Sequence, residues 1–172
     1  EVGLQIGQIA WFLAAFVLGG AIAQYPVGWL ADKFDRRWVL IWQSAAAVLS
    51  CATTVTMGAS STTMIMLNAA FFGFTSFPIY SVSAAHANDF ATSEERVELS
   101  AALMFFFAVG AIGTPLLASG LIERFGPPAL FIMIAAGHAL LIVFGLTRML
   151  ARPTAEHRTR YVYAPRTSFT VG

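Results

Sequence analysis

The sequence predicts an all-α membrane protein with five transmembrane helices, on the evidence of its composition and its charge distribution. Of the 172 residues, 58% are hydrophobic and 11% are charged, whereas a soluble domain carries about 25% charged residues. A bilayer core about 30 Å thick needs about 20 helical residues, and backbone groups in lipid must bond within their own segment. The uncharged runs are long enough to be such helices, and they lie at 2–31, 38–88, 99–122 and 125–147.

Each span can be placed in order along the chain. The first run supplies one helix, and the run 38–88 is long enough for two helices, divided by the polar stretch 58–63. Thr92 and Glu95 have the spacing of a capping box, which predicts the start of the fourth helix. The last uncharged run supplies the fifth helix. The runs lack the two-residue alternation of strands in a membrane barrel, so an outer-membrane barrel is not expected.

The chain is expected to have two regions and a defined orientation. Residues 1–150 should form the helical bundle, and residues 151–172 should be a disordered tail, because Pro153 ends the last helix and no periodicity follows it. Nine of the ten Lys and Arg residues fall on one side of this topology, with Arg124 on the other. Basic loops mark the cytoplasmic side. The C-terminus is therefore predicted to be cytoplasmic, where the tail can touch anionic membrane lipid.

Several function classes find no support in the sequence. The net charge of +1 and the scattered basic residues do not suggest a nucleic-acid partner. Cys51 is the one cysteine, and an inert buried thiol is expected. No phosphate loop, nucleophile elbow or recognised metal-binding spacing is present, so no cofactor, metal or catalytic residue is predicted and the protein is not expected to be an enzyme. A metal site built on His86 and the acids after it is possible only on paper.

The segment from Gly28 to Leu40 is a charge cluster between two uncharged spans. It resembles the signature loop of the major facilitator superfamily of secondary transporters, G-x-L-A-D-[RK]-x-[GD]-R-[RK]-x-x-L. Asp35 stands where many members of the family have Gly. The matching positions are Gly28, Leu30, Ala31, Asp32, Lys33, Arg36, Arg37 and Leu40.

The resemblance implies a twelve-helix fold made of two six-helix halves, each with this loop after its second helix. Here the loop follows the first span, so the chain looks like helices two to six or helices eight to twelve. The basic tail favours the second choice, and the run 77–89 resembles one in the carboxy half of a bacterial branch. The chain would then lack helix seven and the amino half. A bacterial inner (plasma) membrane location is implied.

The implied function is transmembrane transport of a small solute by alternating access. The partners would be the solute, the amino-terminal half of the same transporter and membrane lipid. The alternative is a small membrane scaffold or interaction protein without transport activity. The sequence does not indicate the solute, the direction of transport or a coupling ion.

Five residues of the loop are predicted to form a cytoplasmic latch, which the resemblance implies holds the two halves together. Glycine allows close helix approach. An acid at a helix C-terminus is disfavoured by the helix dipole, so it needs basic residues or a helix N-terminus of the other half beside it. The alternative is a solvated positive-inside turn. The predicted latch residues are Gly28, Asp32, Lys33, Arg36 and Arg37.

The third span is the predicted substrate pathway. At about 100° per residue, one stripe carries several polar side chains, and such groups usually face the bundle interior or a water-filled path. Pro78 interrupts the span, as broken helices do at many transport sites. The alternative is that Ser and Thr bond their own backbone and that Asn68 joins two helices. The predicted pathway residues are Asn68, Phe72, Thr75, Ser83 and His86, with Tyr80 at the border.

Two further sets of residues have predicted roles. His86 could take part in proton coupling or gating because histidine titrates near neutral pH, or it could be a cap or interface residue. Gly110, Gly113 and Pro115 of the fourth span, together with Pro78, are predicted to serve as hinge or packing positions.

Overall fold

The computed structural model describes residues 6–57 and 61–151, and these residues form helices joined by short connections. The rest of the predicted tail after Ala151 and the stretch 58–60 lie outside the described residues. The helices are α1 (Ile6–Lys33), α2 (Arg36–Met57), α3 (Thr62–Ser76), α4 (Pro78–Asn88), α5 (Arg96–Phe125) and α6 (Pro128–Ala151).

The prediction of five spans is confirmed, because α3 and α4 together make one apolar segment, Thr62–Asn88, long enough to cross a membrane. Phe77 joins the two helices and keeps helical dihedrals of φ −61° and ψ −42°. Its N–H donates to the carbonyl of Gly73 at 3.1 Å. Pro78 has no N–H to donate, so the interruption of hydrogen bonding falls at this residue. The other four spans are α1, α2, α5 and α6.

Glycines bring α1 and α3 into backbone contact. A Cβ atom at Gly19 would lie 1.9 Å from the carbonyl oxygen of Ala70, and one at Gly73 would lie 1.9 Å from that of Phe16. Gly20 faces the ring of Phe77, to which a Cβ would come within 2.4 Å. Small residues allow membrane helices to approach closely. The α1–α3 pair is therefore a fixed unit of the bundle, and α2 packs mainly on α6.

The fourth span, α5, has few packed side chains. It contacts α6 and α4, and Ala118 is its buried residue. The helix continues through Pro115 without ending. A Cβ atom at Gly110 or Gly113 would meet nothing within 4 Å among the described residues. The hinge or packing role of these positions therefore stays a prediction.

The start of α5 differs from the predicted one. The carboxylate of Glu95 accepts bonds from the N–H and the hydroxyl of Thr92, each at 2.9 Å, so the contact expected of a capping box is present. These hydrogen bonds lower the pKa of Glu95. Residues 93–95 nevertheless form a turn, and the helix begins at Arg96.

Candidate functional site

Arg36 connects the loop between α1 and α2 to the end of α4. Its guanidinium donates to the carbonyl oxygen of Ala85 at 2.9 Å and to the carboxylate of Asp89. The side chains of Arg36 and Asp89 are 11% and 8% exposed to solvent. The carboxylate of Asp32 lies farther away, at 3.4 Å. The main partner of Arg36 is thus 53 residues away along the chain, and not within its own loop.

Asp35, at the position where many members of the family have Gly, lies directly before α2. Its carboxylate accepts the backbone N–H of Arg37 at 3.0 Å and the guanidinium of the same residue at 2.8 Å. Aspartate is a favoured residue just before a helix because its side chain satisfies a free N–H there. No described residue other than glycine has a positive φ. The turn therefore has no need of glycine at Asp35.

The remaining predicted latch residues lie on the surface. The side chain of Asp32 is 65% exposed, and the Nζ atom of Lys33 lies 4.0 Å from the centroid of the Trp29 ring. A Cβ atom at Gly28 would meet nothing within 4 Å among the described residues. The structure thus brings Asp32 and Arg36 together, and it leaves Gly28 open. We call Asp32, Asp35, Arg36, Arg37 and Asp89 the charge cluster.

The amide of Asn68 is bonded to α2 through both its oxygen and its nitrogen. The oxygen accepts from the hydroxyl of Ser50 at 2.8 Å and lies 3.1 Å from that of Thr53, whose one proton can instead go to the carbonyl of Ser50 at 2.8 Å. The nitrogen donates to the carbonyl of Ser50 at 3.2 Å and to the hydroxyl of Thr54 at 2.5 Å. An amide has two acceptor and two donor positions, so these contacts use both donor positions and at least one acceptor position. A contact between helices was the alternative that the sequence left open for Asn68.

The other predicted pathway residues differ in their surroundings. Thr75 is buried and donates to the carbonyl of Phe72 at 3.0 Å, and the ring of Phe72 stacks on Phe16 with centroids 5.8 Å apart. Ser83 and His86 are half-buried. The ring of His86 packs edge-on against Phe90 at 5.2 Å. The pathway role of these residues stays a prediction.

Exposed side chains of α4 contact α1 on one side and α5 on another. The hydroxyl of Ser81 lies 2.9 Å from the carbonyl oxygen of Pro78 and 3.3 Å from the side-chain oxygen of Gln24 on α1, and its one proton can be donated to either. Ser81 and Gln24 are both exposed. The ring of Tyr80 packs edge-on against Phe107 of α5 at 5.4 Å, and its hydroxyl donates to the sulfur of Met104 at 3.5 Å. We call Gln24, Tyr80, Ser81, Met104 and Phe107 the open face.

Of the two α4 residues in the open face, Ser81 lies on the far side of the third span from the predicted stripe, and Tyr80 lies at the border of that stripe. Ser81 is about 140° from Asn68 around a regular helix, and Tyr80 is about 120° from it. Sequence reasoning singled out Tyr80 but missed Gln24 and Ser81. A usable signal was present, since a Gln far from the ends of an uncharged span rarely faces lipid.

The chain is similar to one protein family and to several bacterial transporters. The family model described as Major Facilitator Superfamily matches residues 1–169. An uncharacterized MFS-type transporter of Enterobacter sp. (strain 638) is 30% identical, over 94% of this chain and 40% of the relative. One of Yersinia enterocolitica is 31% identical, over 85% of the chain and 37% of the relative. The chain thus spans less than half the length of these relatives. No solved structure gives a significant match.

Proposed function

Because the chain belongs to the major facilitator superfamily, we propose that it is the part of a secondary transporter that corresponds to helices eight to twelve. The whole transporter would move a small solute by alternating access, with the amino-terminal half as partner. The family match across residues 1–169 is the observation that carries this proposal. The five apolar spans fit a six-helix half without its first helix.

We propose the bacterial inner membrane as the location, with the C-terminus in the cytoplasm. The named relatives come from Enterobacter and Yersinia. The uneven distribution of Lys and Arg supports the orientation.

The open face is the proposed contribution of this chain to the solute path. Gln24 and Ser81 are exposed polar groups inside membrane spans, and such groups face a bundle interior or a water-filled path. Tyr80 was predicted to border the path, and it belongs to this face. The bonded amide of Asn68 favours a structural role for that residue.

The loop residues Gly28 and Asp32 are the proposed contact with the amino half. Both are open to approach, while Arg36 and Arg37 are held by carboxylates of this chain. In this proposal Arg36 and Arg37 fix the shape of the loop, and Gly28 and Asp32 make the contact with the amino half. Gly28→Leu should then reduce transport without lowering the thermal stability of the carboxy half.

Thiol labelling of the full-length transporter tests the assignment of the face. Single cysteines at positions 81 and 24, in a protein whose native cysteines are replaced, should react with a charged thiol reagent such as a trimethylammonium methanethiosulfonate. A cysteine at position 68 should react slowly because the site is packed against α2. A cysteine at position 140, on the exposed apolar side of α6, is the control for lipid-facing surface. Slow reaction at 81 and 24 together with fast reaction at 68 would restore the predicted stripe as the solute path.

A further inference from the structure

A groove lies between α1 and α2, at the end of the two helices that carries the charge cluster. Its volume is about 420 Å³. It extends along α2 from Asp35 to Gln43, which is about 12 Å at the helical rise. Apolar side chains make most of its lining: Val27, Leu30, Phe34, Trp38, Val39 and Trp42. We propose that this groove binds an acyl chain of a phospholipid whose phosphate group lies at Lys33.

The groove lies at the depth where a phospholipid headgroup meets its acyl chains. One end is at Asp35 in the loop, and the other is about two turns inside the second span. Trp and Lys are enriched at this level of membrane proteins. Trp29, Trp38 and Trp42 are all exposed there, and the ammonium of Lys33 is 4.0 Å from the centroid of the Trp29 ring.

The groove opens away from the proposed solute path, which favours lipid over the amino half as its occupant. On a regular helix, Leu30 lies about 120° around α1 from Gln24. The amino half can therefore cover the open face while the groove stays in contact with the bilayer. An acyl chain is already out of water in the bilayer, so the groove would hold it through van der Waals packing against its apolar side chains.

The charges at the mouth fit a phosphate group. Lys33 is exposed and lies about 60° around α1 from Leu30, nearly one turn closer to the loop. Asp35 would repel an anion, but its carboxylate holds the guanidinium of Arg37 at 2.8 Å, so the two residues form a neutral pair. Asp32 lies about 100° around the helix from Lys33. The phosphate would thus meet an ammonium first.

Native mass spectrometry of the full-length transporter with added dioleoyl phosphatidylglycerol tests the proposal. The unmodified protein should retain one lipid under activation that removes the surrounding lipid shell. Leu30→Trp should abolish retention by filling the groove, while Leu140→Trp on the exposed side of α6 should not. Lys33→Gln should weaken retention about fivefold, the effect of losing one basic contact near the surface. Arg148→Gln, an exposed basic residue at the end of α6, should have no such effect.

Two competing ligands distinguish the contribution of the acyl chains to binding from that of the phosphate. Glycerol phosphate has the anion without the chains and should not displace the lipid, and dioleoylglycerol has the chains without the phosphate and should bind more weakly than the phospholipid. Equal retention by all four variants would mean nonspecific surface lipid and overturn the proposal. So would a failure of the unmodified protein to retain lipid, which would mean that another part of the transporter fills the groove. Lys33→Gln changes only a surface side chain, so the proposal stays testable if Leu30→Trp does not fold.

Discussion

Arg36 joins parts of the chain that lie far apart in the sequence. It holds the carbonyl of Ala85 and the carboxylate of Asp89 while reaching back to Asp32. The loop sequence suggested Asp32, four residues away, as the partner. The preference for Asp89 follows from burial, because Asp89 is 8% exposed and Asp32 is 65% exposed, and an ion pair shielded from water is screened less.

Loss of one member of this buried pair should destabilise the fold. Asp89→Asn leaves the Arg36 guanidinium with only the exposed carboxylate of Asp32 at 3.4 Å, and removal of one partner of a buried pair costs about 3–5 kcal/mol. Thermal unfolding of the purified full-length protein should show a clear fall in midpoint. Asp32→Asn, at an exposed site, is the matched control and should change stability by about 1 kcal/mol or less. Equal effects of the two substitutions would show that Asp89 is not the main partner.

Substitution of Asn68 should separate stability from transport. Asn68→Ala removes four contacts to α2, and hydrogen bonds between membrane helices are worth about 0.6 kcal/mol each on average. We expect a lower unfolding midpoint with transport kinetics close to those of the unmodified protein. Ser81→Ala should do the opposite, with reduced transport and little change in midpoint. Reversed results would return Asn68 to the solute path.

At the scale of helices, the contact between α1 and α3 depends on two glycines. Gly19→Ala or Gly73→Ala would place a methyl group 1.9 Å from a backbone oxygen of the facing helix, so the helices must separate. Overpacking of this kind costs about 1–3 kcal/mol or more, and we expect poor yield of folded protein in detergent.

Gly120→Ala and Gly137→Ala are the matched controls for the glycine contact. Neither position has an atom within 4 Å of an added Cβ among the described residues. Alanine is about 1 kcal/mol better than glycine inside a helix, so these variants should be as stable as the unmodified protein or more so. Loss of folding in the controls would show that the fold tolerates no change at glycine, and the α1–α3 contact would then not be special.

Helix number was predictable from the sequence, whereas helix faces were not. Five spans follow from uncharged runs of sufficient length, because the bilayer imposes that length. The packed side of α3 was harder to predict, since an amide such as Asn68 can bond a neighbouring helix or a solute equally well. The partner of Arg36 was also hidden, because Asp89 comes close only when the bundle forms. The open face could not be predicted because its residues come from α1, α4 and α5, and the sequence does not show which helices are neighbours.

At the scale of the whole molecule, the distribution of basic residues predicts which ends of the helices face the cytoplasm. Cysteines at positions 33 and 158 should be labelled from the inside, and cysteines at 60 and 124 from the outside, in membrane vesicles of known orientation. The reason is the bias of Lys and Arg toward cytoplasmic loops. Labelling of position 60 from the cytoplasm would reverse the orientation. Positions 60 and 158 lie outside the described residues, so the experiment also extends the topology beyond them.

The interruption at Pro78 gives the third span two separately anchored halves. The first half, α3, is fixed to α1 by backbone contact at Gly19 and Gly73. The second half, α4, is about 16 Å long, and Arg36 binds its C-terminal end through the carbonyl of Ala85 and the carboxylate of Asp89. Because α4 also packs on α1, α2 and α5, a bend at Pro78 would move its C-terminal end, the loop and these neighbours together. The fluorescence of a probe attached to that loop would then report bending of the third span at Pro78, in the middle of the membrane.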